Sequence, residues 1–220
     1  MKKLILLVFL LSLYGCSVLY AQHKEENKPN HYLIAMYGKN QLYYDCIRSH
    51  KTISVGYNPL PFTQGFGLNA WYLQHDASYY GRKPSIIIIQ PSVNLLYKSL
   101  ALKLGMNINY MNEEGYKWTL SLMPVIEIKY GLMKNLYFSF YFKSDMFFGS
   151  INANIHYLFN DNISGIMLGY TYKENWDDDY NGLAYKLDYM IFEKILLRVC
   201  GNIDLKFKSK GIQAGIGILI

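Results

Sequence analysis

Beyond its first 21 residues this 220-residue chain has no apolar run near the ~18–20 residues that a membrane-spanning helix requires, and its longest aliphatic run is Ile86–Ile89. Helical spans are thereby excluded for that part of the chain. Cysteine is sparse: Cys16 leaves with the leader described below, and spacing alone does not pair Cys46, in a loop-like stretch, with Cys200, on the polar face of a strand. Strong charge of one sign is missing too. Removing residues 1–21 takes two lysines from the 22 basic residues and none of the 16 acids, which leaves +4, spread over many segments. That is too mild and too dispersed for a nucleic-acid surface.

Other absences concern chemistry. His31, His50 and His156 lack metal-ligand spacing. Trp176-Asp177-Asp178-Asp179-Tyr180 lacks the spacing of an EF-hand and reads as a solvated loop. Gly211, Gly215 and Gly217 lie on an alternating segment rather than before a helix, so they relieve crowding and do not cradle phosphate. No cofactor and no metal is expected.

What is present begins with a leader. Lys2 and Lys3 precede the apolar stretch Leu4–Leu13, broken only by Ser12, and small residues follow, as in a secretory signal. Two junctions compete: Ala21-Gln22, with bulky Leu19 at the minus-three position, and the lipobox-like Leu13-Tyr14-Gly15-Cys16. The first gives a signal peptide over 1–21 and a polar segment over 22–30. Hydrophobic residues make up 51% of the chain, which rules out a disordered reading, and its length fits one domain over 31–220. The 22 tyrosines favour strands and interfaces, because the ring tolerates apolar surroundings while the hydroxyl seeks water.

The organising pattern has a period of two. In Leu197–Lys208 the residues Leu197, Val199, Ile203, Leu205 and Phe207 share one face, while Arg198, Cys200, Asn202, Asp204, Lys206 and Lys208 share the other. Ser99–Tyr110, Trp118–Tyr130, Gly149–Phe159, Leu183–Ile191 and Gly211–Ile220 alternate in the same way. Pro124 falls on an oily face and is expected to mark a bulge or kink. Segments of ten to thirteen residues exceed the ~5–6 of an ordinary strand and match the ~9–11 of a tilted membrane-spanning one. Breaks between them differ in kind. Tyr97-Lys98, Met133–Asn135, Asn160–Asn162 and Glu193-Lys194 are tight, whereas His75–Ser85, Met111–Lys117 and Lys173–Asn181 are long and polar.

Eleven strands are clear, the first over 52–58 and the last over 211–220. Both termini on one side then require one more strand before Thr52, from His31–Gly38 or Gln41–Arg48. The expectation is an all-β, antiparallel up-and-down transmembrane barrel of twelve strands, or ten if the N-terminal segment is a helix. A secreted β-sandwich also alternates, but large apolar residues on nearly every strand, with Tyr97, Tyr110, Tyr130, Phe159, Tyr172 and Phe192 at strand ends, favour two lipid–water interfaces. In this pattern the chain resembles the small bacterial outer-membrane β-barrel proteins, and its Ala-Gln leader end and Tyr-rich strands are similar to those of the Bacteroidota. It departs from them in ending on Ile220 instead of an aromatic residue. The resemblance implies outer-membrane localisation, lipid as a partner, and the barrel-assembly machinery during biogenesis.

The other face then lines or plugs an interior. Expected there are Lys103, Glu127, Lys129, His156, Lys186, Asp188, Arg198, Asn202, Asp204 and Lys206, within a mildly cationic lumen that suits small polar or anionic solutes. Charges confined in so narrow a space also pair with one another, so a structural barrel and a narrow pore both remain open. Two further readings stand beside these: surface binding or adhesion through the long loops, and a lipid-modifying enzyme with His75, Asp76 and Ser78 at a loop base as weak catalytic candidates.

Overall fold

The computed structural model describes residues 31–44, 46–75, 85–112, 119–133, 135–144, 149–159, 163–173, 180–205 and 210–220. The leader, the polar segment over 22–30 and most of the long loops lie outside these residues. Twelve strands appear among the described residues: β1 (His31–Tyr44), β2 (Cys46–Pro59), β3 (Gly65–His75), β4 (Ser85–Tyr97), β5 (Leu100–Asn112), β6 (Thr119–Met133), β7 (Leu136–Ser144), β8 (Gly149–Leu158), β9 (Gly165–Lys173), β10 (Tyr180–Ile191), β11 (Ile195–Asp204) and β12 (Lys210–Leu219). Each pairs antiparallel with its neighbours in sequence, and β1 closes on β12 from Tyr32↔Leu219 to Asn40↔Gly211. At the rim the Ile220 amide donates to the His31 carbonyl at 2.9 Å. Closure leaves no unpaired sheet edge, which a strand must avoid in hydrocarbon.

The strand count follows the sequence, with four local corrections. Gln41–Arg48 is not a strand of its own, because Tyr44 pairs with Cys46 and the chain reverses between them. By the same pairing Cys46 opens β2 and is not in a loop. Pro124 produces no bulge against β5: the β5–β6 register runs unbroken through Met106↔Pro124, and an irregularity lies instead between Gly131 and Met133 on the β7 side. β11 ends at Asp204, short of Lys208, with Leu205 already in a turn.

Burial is inverted relative to a water-soluble domain. Among the described residues Asn69, Gln90, Ser92, Asn107, Ser139, His156, Asp188 and Asp204 are buried, whereas Leu168, Ile151, Ile155, Ile212 and Ile216 are each about half exposed or more. Such an exterior is stable against hydrocarbon, where its apolar area costs nothing, and not against water. Exposed Tyr97, Tyr130, Tyr157 and Phe192 ring the end that carries the tight turns, and Tyr37, Tyr72, Tyr110 and Tyr170 ring the other. These are the two aromatic belts of a lipid-spanning band. On that outer face Tyr185 lies across Gly201, its cross-strand partner, filling space that any side chain at Gly201 would contest.

The turn end is the tightly built one. Among the described residues, the four non-glycine positions with positive φ all lie there: Phe62, Lys98, Phe192 and Glu193. The β2–β3 connection bends into the barrel. The Thr63 amide and hydroxyl both donate to the Leu60 carbonyl, at 3.2 and 2.7 Å, and the Gln64 amide donates to the Leu96 carbonyl at 3.4 Å.

Candidate functional site

Alternation sends every second side chain of each strand inward, so the interior is built by register between neighbouring strands. Near the turn end these side chains enclose a cavity of about 150 Å³. Its wall includes Lys103 (β5), Glu127 and Lys129 (β6), His156 (β8), Lys186 and Asp188 (β10) and Arg198 (β11), seven of the ten interior residues expected from sequence. Asp204 is buried and Asn202 half-buried farther along β11, and neither lines this cavity. Lys206 lies outside the described residues.

The charges fall into two groups. On β10 and β11, Asp188 and Arg198 are direct cross-strand partners. The guanidinium donates through Nε to Asp188 Oδ1 at 2.6 Å and through Nη2 to Oδ2 at 2.9 Å, while Lys186 Nζ stands 3.1 Å from Oδ2. Arg198 also lies over the Tyr32 ring, 5.1 Å from its centroid, and reaches the Tyr32 hydroxyl at 3.5 Å. On β5 and β6, Glu127 faces Lys103 in register and pairs with Lys129 two residues along its own strand, at 3.5 Å. Each carboxylate is thus flanked by two cations. Lys103 makes no ion pair among the described residues.

Sequence reasoning missed the aromatic and amide parts of the wall. Tyr137 stacks on His156 with centroids 4.1 Å apart and planes 9° off parallel, and Phe62 meets Tyr137 edge-on at 5.1 Å. Tyr32 and Tyr137 could have been found by carrying the alternation through β1 and β7. Phe62 carries no such signal, because it sits in a turn. The rest of the wall is hydrogen-bonded amide and hydroxyl: Asn58, beside the cavity, and Asn69 exchange bonds at 2.7 and 2.9 Å, Gln90 donates to Asn107 at 2.7 Å, and Asn154 donates to the Ser139 hydroxyl at 3.1 Å.

The enzyme reading meets a pair here that the sequence candidates did not include. Ser139 Oγ lies 2.8 Å from His156 Nε2, the spacing of a nucleophile and its base. The hydroxyl is only 1% exposed, already accepts from Asn154 and faces the interior, away from lipid acyl chains, so the pair serves as wall. Asp76 and Ser78, and the side chain of His75, lie outside the described residues, as do Asp177, Asp178 and Asp179. Cys200 carries a free thiol, and the Cys46 side chain lies outside the described residues.

The twelve-strand closure, polar interior and apolar exterior together decide the architecture. The fold is that of an outer-membrane β-barrel. Among solved structures the chain is similar to the KdgM porin (TM-score 0.60, 12% identity, 86% of this chain and 99% of that one). It is similar also to the KdgM porin in complex with disordered oligogalacturonate (0.58, 11%, 86% and 99%) and to the NanC porin (0.56, 9%, 86% and 98%). No protein-family model and no curated protein matches it. At such identities a shared barrel establishes the fold, and function must be argued from the site.

Proposed function

We propose that this outer-membrane barrel is a narrow pore favouring small anionic solutes. The observation that carries this is the composition of the cavity wall: Lys103, Lys129, Lys186 and Arg198 against Glu127 and Asp188, an excess of two positive charges around one interior cavity. In a confined, poorly solvated passage such an excess lowers the free energy of an anion and raises that of a cation. An oligogalacturonate seen with a barrel of the same fold is itself a polyanion, which supports the sign of this reading. The barrel reaches the membrane through the assembly machinery, with lipid as its standing partner and its interior as the working part.

Planar-bilayer recordings across a KCl gradient test this. The expected reversal potential has the sign of chloride preference, and Lys103→Glu, which brings the excess of two to zero, is expected to abolish the preference. Lys103 makes no ion pair among the described residues, so this substitution breaks none there. A silent bilayer, or a cation-preferring wild type, would remove the pore reading.

A further inference from the structure

The two charge groups are five strands apart in a wall of twelve, close to opposite each other, and they face one cavity. One is Lys103–Glu127–Lys129 and the other Lys186–Asp188–Arg198, and each keeps one positive charge beyond what its carboxylate offsets. Between them, His156 lies within electrostatic reach of Lys129 on one side and of Lys186 and Asp188 on the other. Across the floor, the end of β2 contributes Asn58 and Pro59 and the β2–β3 connection Leu60 and Pro61, with Phe62 beyond them on Tyr137. A further group remains unused: Asn94, 4% exposed and lining the same cavity, has its amide oxygen buried without a hydrogen-bond partner among the described residues.

We infer that this cavity is an equilibrium binding site for one small, partly protonated oxyanion of the hydrogen phosphate type. The inference rests on the anion-pore reading and names the solute held inside it. Three features select this class. Two facing groups, each with one spare positive charge, match a dianion held between them and are poorly matched by a neutral solute. The volume of about 150 Å³ holds an ion of a few heavy atoms with some water, but falls below the ~300–1,000 Å³ of pockets that take larger organic ligands. The buried Asn94 oxygen is an acceptor, which a protonated oxyanion can satisfy with its own hydroxyl and chloride cannot.

The site is tested by titrating inorganic phosphate into the refolded full barrel in zwitterionic detergent, read by calorimetry, with heat-modifiable gel migration confirming that each variant is folded. Wild type is expected to bind one phosphate saturably. Lys103→Gln combined with Lys186→Gln, which removes a spare charge from each side, is expected to weaken binding about tenfold or more. Lys103→Arg is expected to retain it, which separates loss of charge from loss of shape. Absent saturation in wild type, or a folded double variant that binds as well as wild type, overturns the site. The readout is independent of current: a barrel that binds phosphate but passes no ions keeps the site and loses the pore, and one that passes anions without saturable binding does the reverse.

Discussion

Replacing Asp188 with Asn is expected to destabilise the barrel by about 3 kcal/mol, the low end for breaking a buried ion pair, because the adjoining cavity has room for water to screen part of the loss. The shape is nearly unchanged, so the effect isolates charge. Asp188 is the carboxylate held by Arg198 at 2.6 and 2.9 Å and by Lys186 at 3.1 Å, with a side chain only 9% exposed. Without its charge two neighbouring cations repel inside a confined wall, and Arg198 keeps only the Tyr32 ring and hydroxyl. Urea titration of the refolded barrel in lipid vesicles should show a clearly lower midpoint with an unchanged slope. An unmoved midpoint would mean that the charges are solvated and that the group does not brace the wall. The same substitution leaves one more unbalanced cation at the cavity, so the anion preference should rise even as stability falls.

The second large effect is functional. Phe62→Gly is expected to raise single-channel conductance severalfold while leaving the barrel folded. Phe62 occupies a turn at φ 57°, a left-handed conformation that costs a bulky residue about 1 kcal/mol or more and glycine almost nothing. Its ring returns about 0.5–1.5 kcal/mol through the edge-on contact with Tyr137, beyond the apolar area it buries, so relief of strain cancels only part of what the substitution removes. The obstruction goes as well, since the ring lies with the inward-bent β2–β3 connection at the turn end, the end facing the periplasm in barrels of this kind. Recordings of heat-modifiable Phe62→Gly protein that match wild type would show that the narrowest point lies elsewhere.

Much of this barrel is legible in the chain, because a period of two carries both strand identity and the direction of each side chain. The alternation of Leu197–Asp204 is enough to send Arg198 inward and Val199 outward, and Glu127-Ile128-Lys129 and Lys186-Leu187-Asp188 show same-face charge pairs in the sequence itself. Register is what the pattern omits. That Lys103 stands opposite Glu127, and Asp188 opposite Arg198, depends on how two strands slide against each other, and a shift of two residues keeps every face while changing every partner. Turns are omitted for a different reason. Nothing periodic distinguishes Leu60–Gln64 from a turn lying outside the barrel, and its inward course is held by bonds from Thr63 and Gln64 to carbonyls that any residue supplies. The bulge expected at Pro124 is missing on the β5 side because an antiparallel ladder can lose one donor and stay in register.

The inverted burial has a consequence for how such a chain can change over time. Outward positions such as Leu168, Ile151 and Ile216 meet disordered lipid tails, which fit Leu, Ile, Val or Phe about equally well, so no particular side chain is demanded there. Inward positions such as Gln90 with Asn107, or Ser139 with Asn154, must keep partners in reach, yet many amide and hydroxyl pairs meet that need. Selection on this architecture therefore acts on classes of residue and on their spacing. Two barrels can drift until almost no positions agree while each keeps its strand number, its closure and its two faces.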